Sequence, residues 1–184
     1  EFEPALSAVN ASVGSGEVAV VIGPNGSGKT SLLLATVGVI EAQSGFITVN
    51  GKNLKQYDPE SYRTHIAFCP AQPDILGDSI ADNLRVVKQS ASDEEMKQAI
   101  VSAGGQGLLD SINGDLNAKV FTSDDVVHAA VEASYISLAR ALLKQSNVLI
   151  MDEPIANRNP IAKAKFIETI EKLKLVSEIF YAAV

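Results

Sequence analysis

The residues best placed for chemistry are Gly23, Pro24, Asn25, Gly26, Ser27, Gly28, Lys29, Thr30 and Ser31, which stand in that order without a break. Glycines at this density let the backbone wrap until successive N–H groups point inward, and an inward ring of N–H groups attracts phosphate oxygens. Lys29 adds a charge that can reach the β- and γ-phosphates of a nucleotide, and the Thr30 hydroxyl can serve as a ligand to Mg²⁺. The pattern Gly-x-x-x-x-Gly-Lys-Thr could also be a plain glycine-rich turn. Here it follows the apolar run Val18–Ile22 and precedes the helical run Ser31–Ala35, the strand-then-helix context that phosphate binding requires. The helix start contributes partial positive charge to the same spot.

A second group closes the run Val148-Leu-Ile-Met-Asp-Glu-Pro154. An apolar strand that ends in an acid carries Asp152 to a sheet edge, where it can hold Mg²⁺ through water. Glu153, next in sequence, could orient and polarise an attacking water. An Asp-Glu pair after a strand is often only a solvated loop. Together with the upstream loop in one domain, it points to Mg-ATP.

These groups need a frame of alternating strands and helices. Strands are expected near Leu6–Val13, Glu17–Ile22, Gly45–Val49, His65–Cys69, Val148–Met151 and Ile179–Ala182, as short apolar or β-branched runs bounded by Gly, Pro, Asn or Asp. Helices are expected near Lys29–Val37, Pro59–Tyr62, Ile80–Lys88, Asp93–Ala103, Val126–Gln145 and Ile161–Leu173. Ser92 and Glu95 form a capping box at the start of the fourth. Pro70 to Gln145 carries almost no strand signal, so a helical subdomain of roughly residues 78–131 is expected between two halves of the core. The fold class is α/β: a P-loop NTPase core with a mostly parallel sheet, an antiparallel β portion near the N-terminus and that inserted helical subdomain.

Composition narrows the alternatives. A chain of 184 residues with 46% hydrophobic residues can bury an ordinary core, which sets intrinsic disorder aside. The net charge of −7 argues against a nucleic-acid binder held by phosphate contacts. Cys69 is the single cysteine, which excludes an internal disulfide and fits a reducing compartment. The chain opens on Glu1 rather than Met and is read as a piece of a longer protein.

With both motifs placed, nearly all of the chain resembles the ATP-binding domain of an ABC transporter. Leu138-Ala-Arg-Ala-Leu-Leu143 ahead of the Asp152 strand, and Ser44–Gly51 after the first helix, are similar to that family. Asp58-Pro59, Arg63, Ile66–Phe68, Gln72 and Ile75–Leu84 resemble its exporter branch, bacterial type I secretion exporters in particular. The resemblance implies that Gln72, in the family's Q-loop slot, contacts Mg²⁺ and the γ-phosphate region and couples them to a membrane domain. It further implies transmembrane domains and a second ATP-binding domain as partners, no nucleic acid, and a place at the cytoplasmic face of a membrane.

The departures are as specific. The slot of the family's Leu-Ser-Gly-Gly-Gln signature holds His128-Ala-Ala-Val-Glu132, which lacks the hydroxyl and the glycines and adds a negative charge. Ser102-Ala-Gly-Gly-Gln106 looks like a signature but lies too early, and reads as the turn after the Asp93–Ala103 helix. Asn159 stands in the D-loop aspartate's place, and Val184 falls in the switch histidine's slot. Phe2 is the one aromatic near the adenine-stacking position.

His65 and His128 lack partners at metal-ligand spacing and read as ordinary polar residues. Cys69 reads as a buried structural thiol, Arg140 as a packing and salt-bridge residue, and Asp124-Asp125 as a helix N-terminal charge pair. The leading function is an Mg-ATP-binding motor domain with weakened hydrolysis, paired with a second, unlike ATP-binding domain. The alternative is a regulatory or structural module that holds ATP without turnover. A DNA-repair ABC ATPase would need sustained heptads that are absent here.

Overall fold

The computed structural model describes residues 5–120, 126–154, 160–173 and 178–183. Phe2, Asp124-Asp125, Asn159 and Val184 lie outside these residues, as does the side chain of His128.

Four strands form the main sheet: β1 (Val18–Ile22), β4 (Ile66–Cys69), β5 (Val148–Asp152) and β6 (Glu178–Ala183), all parallel, in the order β1-β6-β5-β4. A separate antiparallel pair, β2 (Thr48–Val49) and β3 (Lys52–Asn53), turns at Asn50-Gly51, whose φ values of 50° and 75° suit a two-residue hairpin. The helices are α1 (Lys29–Val37), α2 (Pro59–Thr64), α3 (Ile80–Arg85), α4 (Asp93–Ser102), α5 (Gln106–Ser111), α6 (Val126–Leu143) and α7 (Pro160–Leu173).

The parallel sheet is covered on both faces, and the strand residues alternate accordingly. Ile66 and Ile150 point to one side, where Leu33 and Val37 of α1 and Tyr62 of α2 complete a small core. Ala67, Cys69, Leu149 and Met151 point to the other, into a larger core filled by Leu84, Met96, Ile100, Ile136 and Leu138. Each such aliphatic side chain removed from water contributes about 1.5–3 kcal/mol before entropy is charged. The larger core holds the helices between β4 and β5 against the sheet. Among the described residues between those strands, β structure is limited to one isolated bridge, Ser79 with Lys119.

Helix starts and stops follow local chemistry. Glu95 N–H donates to Ser92 Oγ at 3.2 Å and Ser92 N–H to Glu95 Oε2 at 2.9 Å, completing the expected box on α4. Ser79 and Asp82 make a second box on α3. Gly38, with φ 73°, ends α1 and donates to Ala35 O at 3.1 Å.

One expected strand is absent. Leu6–Val13 is a short, partly apolar run of the kind strands use, yet these residues form no ladder. Ala8 sits at φ 53°, and Asn10 Nδ2 donates to Ala8 O at 3.1 Å, a local turn that competes with extended pairing. Three short elements, β3, a 3-10 turn at Leu54–Gln56 and α5, are not expected from sequence.

Candidate functional site: a phosphate loop facing a buried acid

Because the four strands are parallel, their carboxyl ends share one edge. The register sets Ile22 beside Ala183, Ala182 beside Asp152, and Cys69 beside Met151. The loop after β1, the connection after β4 that carries Gln72, and the end of β5 with Asp152 and Glu153 all leave the sheet there. Open α/β sheets bind ligands at that edge.

Pro24, Asn25, Gly26 and Ser27 form an exposed arch, closed by Ser27 N–H donating to Pro24 O at 3.2 Å. A Cβ on Gly23 would fall 2.7 Å from Ser27 Oγ, so a side chain there would make the serine hydroxyl turn aside. Gly28 caps α1 with φ 88°, and a Cβ there would meet the Ala5 carbonyl at 2.6 Å. Lys29 is 7% exposed. Its Nζ donates to the carbonyls of Gly23 at 2.8 Å and Pro24 at 3.1 Å, which holds the ammonium under the arch with a third donor to spare. Ser31 follows, half-buried, in the first turn of α1.

Thr30 Oγ1 donates to Asp152 Oδ2 at 2.6 Å. Asp152 is 2% exposed, and its Oδ1 is buried with no hydrogen-bond partner among the described residues. Burying a carboxylate oxygen unpaired is costly. A hard cation bound by oxygen ligands removes that cost, and an adjoining carboxylate and hydroxyl fit Mg²⁺.

Glu153 adopts φ 47° directly before Pro154, a conformation that few non-glycine residues take. Its side chain is half-buried, whereas Gln72 is exposed. Among the described residues Thr30 bonds to Asp152, and neither Glu153 nor Gln72 makes a hydrogen bond to either of them. The slot His128–Glu132 lies in the first turns of α6, with Ala129 half-buried and Ala130 exposed. Ser102–Gln106 spans the end of α4, a turn with Gly104 at φ 84°, and the start of α5.

Arg140 departs from expectation. It packs as foreseen, but among the described residues it makes no ion pair; its Nη2 donates to the Asp74 carbonyl at 2.9 Å. Asn83 was not singled out at all. It is fully buried and grips the same connection, and its signal was a polar residue on the apolar face that Ile80 and Leu84 define on α3. His65 is exposed, with Nδ1 3.3 Å from Asn147 Oδ1, and Cys69 is buried against Ser137. A separate cleft of about 190 Å³, bordered by Gly38, Phe46, Leu54 and Tyr62, shares no residue with the phosphate loop.

A parallel sheet with a phosphate loop after its first strand and a buried acid facing that loop defines a P-loop nucleotide-binding domain. The sequence pattern of the ABC transporter family matches residues 6–156, and the chain belongs to that family. It is 30% identical, over 92% of its length, to 29% of the beta-(1→2)glucan export ATP-binding/permease protein NdvA of Rhizobium johnstonii. It is 31% identical, over 90% of its length, to 23% of the lactococcin-A transport/processing ATP-binding protein LcnC of Lactococcus lactis subsp. lactis. The fold matches a bacterial Atm1-family ABC exporter with ATP bound at a TM-score of 0.81 and 19% identity, covering 93% of this chain and 30% of that one. The chain thus spans less than a third of each of these proteins. No helix among the described residues is long and apolar enough to cross a membrane.

Proposed function

We propose that this chain is an Mg-ATP-binding motor domain of an exporter-type ABC transporter, one domain with a helical subdomain of roughly residues 78–131. It works at the cytoplasmic face of a membrane as part of a larger assembly that includes transmembrane domains. The observation that carries this reading is the Thr30–Asp152 contact beside a buried Lys29. Gly23 to Gly28 offer backbone N–H groups to the phosphates, Lys29 faces the β- and γ-phosphates, and Ser31 extends the same cradle. Thr30 and Asp152, with Gln72, would hold Mg²⁺, which neutralises charge developing on the transferred phosphoryl group. Glu153 orients and polarises the attacking water, and Gln72 senses the γ-phosphate side.

The second ATP-binding domain is a different chain or an unequal domain. Support comes from the slot Ala129–Glu132, which offers no hydroxyl and no glycine to a partner's nucleotide. In a pair of identical copies both sites would suffer; with an unlike partner one stays partly usable. Losing one preorganised donor costs ~10²–10³ in rate, so turnover by this chain alone is expected to fall ~10² or more below an intact pair. The same slot favours a second reading, a module that holds ATP without turnover. Steady-state hydrolysis separates the two: the motor reading requires turnover to rise when an unlike ATP-binding domain is added. A rate of ~1 s⁻¹ or more from the chain alone would refute the weakened site.

A further inference from the structure

Gln72 lies on the connection between Cys69, the last residue of β4, and Ser79, the N-cap of α3. Pro70 and Pro73 stand on either side of Ala71-Gln72. Each proline fixes its own φ at about −65° and drives the residue before it toward extended backbone, so Gln72 keeps few conformations. Beyond Pro73, side chains hold the connection. Asn83, 0% exposed, accepts from Leu76 N–H at 2.8 Å and donates to Gly77 O at 2.9 Å and Ser79 O at 2.8 Å. A Cβ on Gly77 would stand 2.6 Å from Asp82 Cβ, so this stretch lies flush against α3. Arg140 ties Asp74 O to α6 at 2.9 Å. Only Pro70–Pro73, the piece that carries Gln72, is left between β4 and the Arg140 clamp.

Arg140 is an expensive way to fill that space. Its Nη1 is buried with no hydrogen-bond partner among the described residues, and burial pulls the guanidinium below the ordinary arginine range, with Cys69 and Asp74 acting the other way. An apolar side chain would pack without either cost. What it could not do is donate to a backbone carbonyl two residues after Gln72.

We infer that Arg140 is a positioning residue for Gln72: by fixing the Asp74 carbonyl to α6 it sets where the Pro70–Pro73 segment presents the glutamine. The inference rests on the Mg-ATP reading of the site. Arg140 acts in this inference through the Asp74 carbonyl alone.

A double-mutant cycle on this chain tests it, with Mg-ATP affinity read by calorimetry and folding checked by thermal melting. The variants are Gln72→Ala, Arg140→Met and the two combined. Methionine keeps an apolar stem and removes every donor. Each single change should weaken Mg-ATP binding about twofold to tenfold. The combined variant should fall no further than Gln72→Ala, and Arg140→Lys, which restores one donor, should recover part of the loss. Additive losses would mean that Arg140 merely supports the fold, and would overturn the inference. So would wild-type affinity in either single variant. If Arg140→Met does not fold, Arg140→Lys and Arg140→Gln take its place in the same cycle. Wild-type chain that fails to bind Mg-ATP at all would overturn the site reading and this inference with it; wild-type affinity in Gln72→Ala would also remove Gln72 from the proposed Mg²⁺ site, whereas the remaining outcomes leave the site reading intact.

Discussion

The Thr30 hydroxyl donates to the Asp152 carboxylate at 2.6 Å although 122 residues separate them in sequence. Thr30 lies in the first turn of α1 and Asp152 closes β5, so one hydrogen bond joins the two motifs, while Asp152 Oδ1 stays buried with no hydrogen-bond partner among the described residues.

Thr30→Val removes that donor, and Asp152→Asn removes the charge. In both variants Mg²⁺ should add little to ATP affinity, so that binding with Mg²⁺ approaches binding with a chelator present. Calorimetry in both conditions checks this. An undiminished Mg²⁺ effect in Asp152→Asn would exclude the acid as a metal ligand.

Lys29→Ala takes away a buried ammonium beside the arch. Hydrogen bonds to charged groups are worth about 1.5–3 kcal/mol, so Mg-ATP affinity should drop about tenfold or more. Equal affinity in mutant and wild type would count against this loop as the site.

Glu153 combines a φ of 47° with the role in turnover proposed for it. Glu153→Gln should retain Mg-ATP and lose hydrolysis by ~10² or more. Glu153→Gly should lose hydrolysis too, yet relieve a φ of 47° and raise Tm. Strain of this kind is worth about 1–3 kcal/mol, part of which glycine's unfolded-state entropy offsets, so a gain of about 2–4 °C is expected. A Tm that falls would show the backbone is unstrained there.

Acid should loosen the helical portion early. The Ser79 hydroxyl and backbone N–H lower the Asp82 pKa from 3.8, and Lys88 and then Ser92 lower that of Glu95 from 4.5. A carboxylate depressed in the folded state adds stability above its unfolded pKa and loses it as pH falls through the folded value. Tm should therefore decline as pH drops from about 5 to 3, and less steeply in Asp82→Asn/Glu95→Gln. Parallel slopes in the two proteins would remove these boxes from the account.

What could be read in advance was whatever local chemistry decides. Lys29–Val37 is framed by a glycine on each side, and Ser92–Glu95 carries its own cap, so both helices were legible from neighbours in sequence. Asp152 was legible because an apolar strand must end somewhere and here it ends on an acid. Leu6–Val13 failed because a short run of apolar and β-branched residues says nothing of a partner to pair with. The brief α5 was hidden by Gly104-Gly105 ahead of it, which reads as loop. Asn83 was missed, and Arg140 was given an ion pair it does not make, for a deeper reason: their partners are backbone atoms of a connection whose path is set only when α3 and α6 pack.

The position of β6 in the sheet bears on biosynthesis. It stands between β1 and β5, so the strand that feeds the phosphate loop has no direct ladder to the strand that ends in Asp152. On the ribosome, both halves of the site emerge well before residues 178–183 arrive to bridge them. Until then β1 and β5 are open parallel edges, the arrangement that folds slowly and exposes apolar backbone to wrong pairing. A nascent chain stalled short of Glu178 would hold the phosphate loop and Asp152 without the strand that bridges β1 and β5, leaving the packing of Leu33 and Val37 on Ile66 and Ile150 as the link between the two halves.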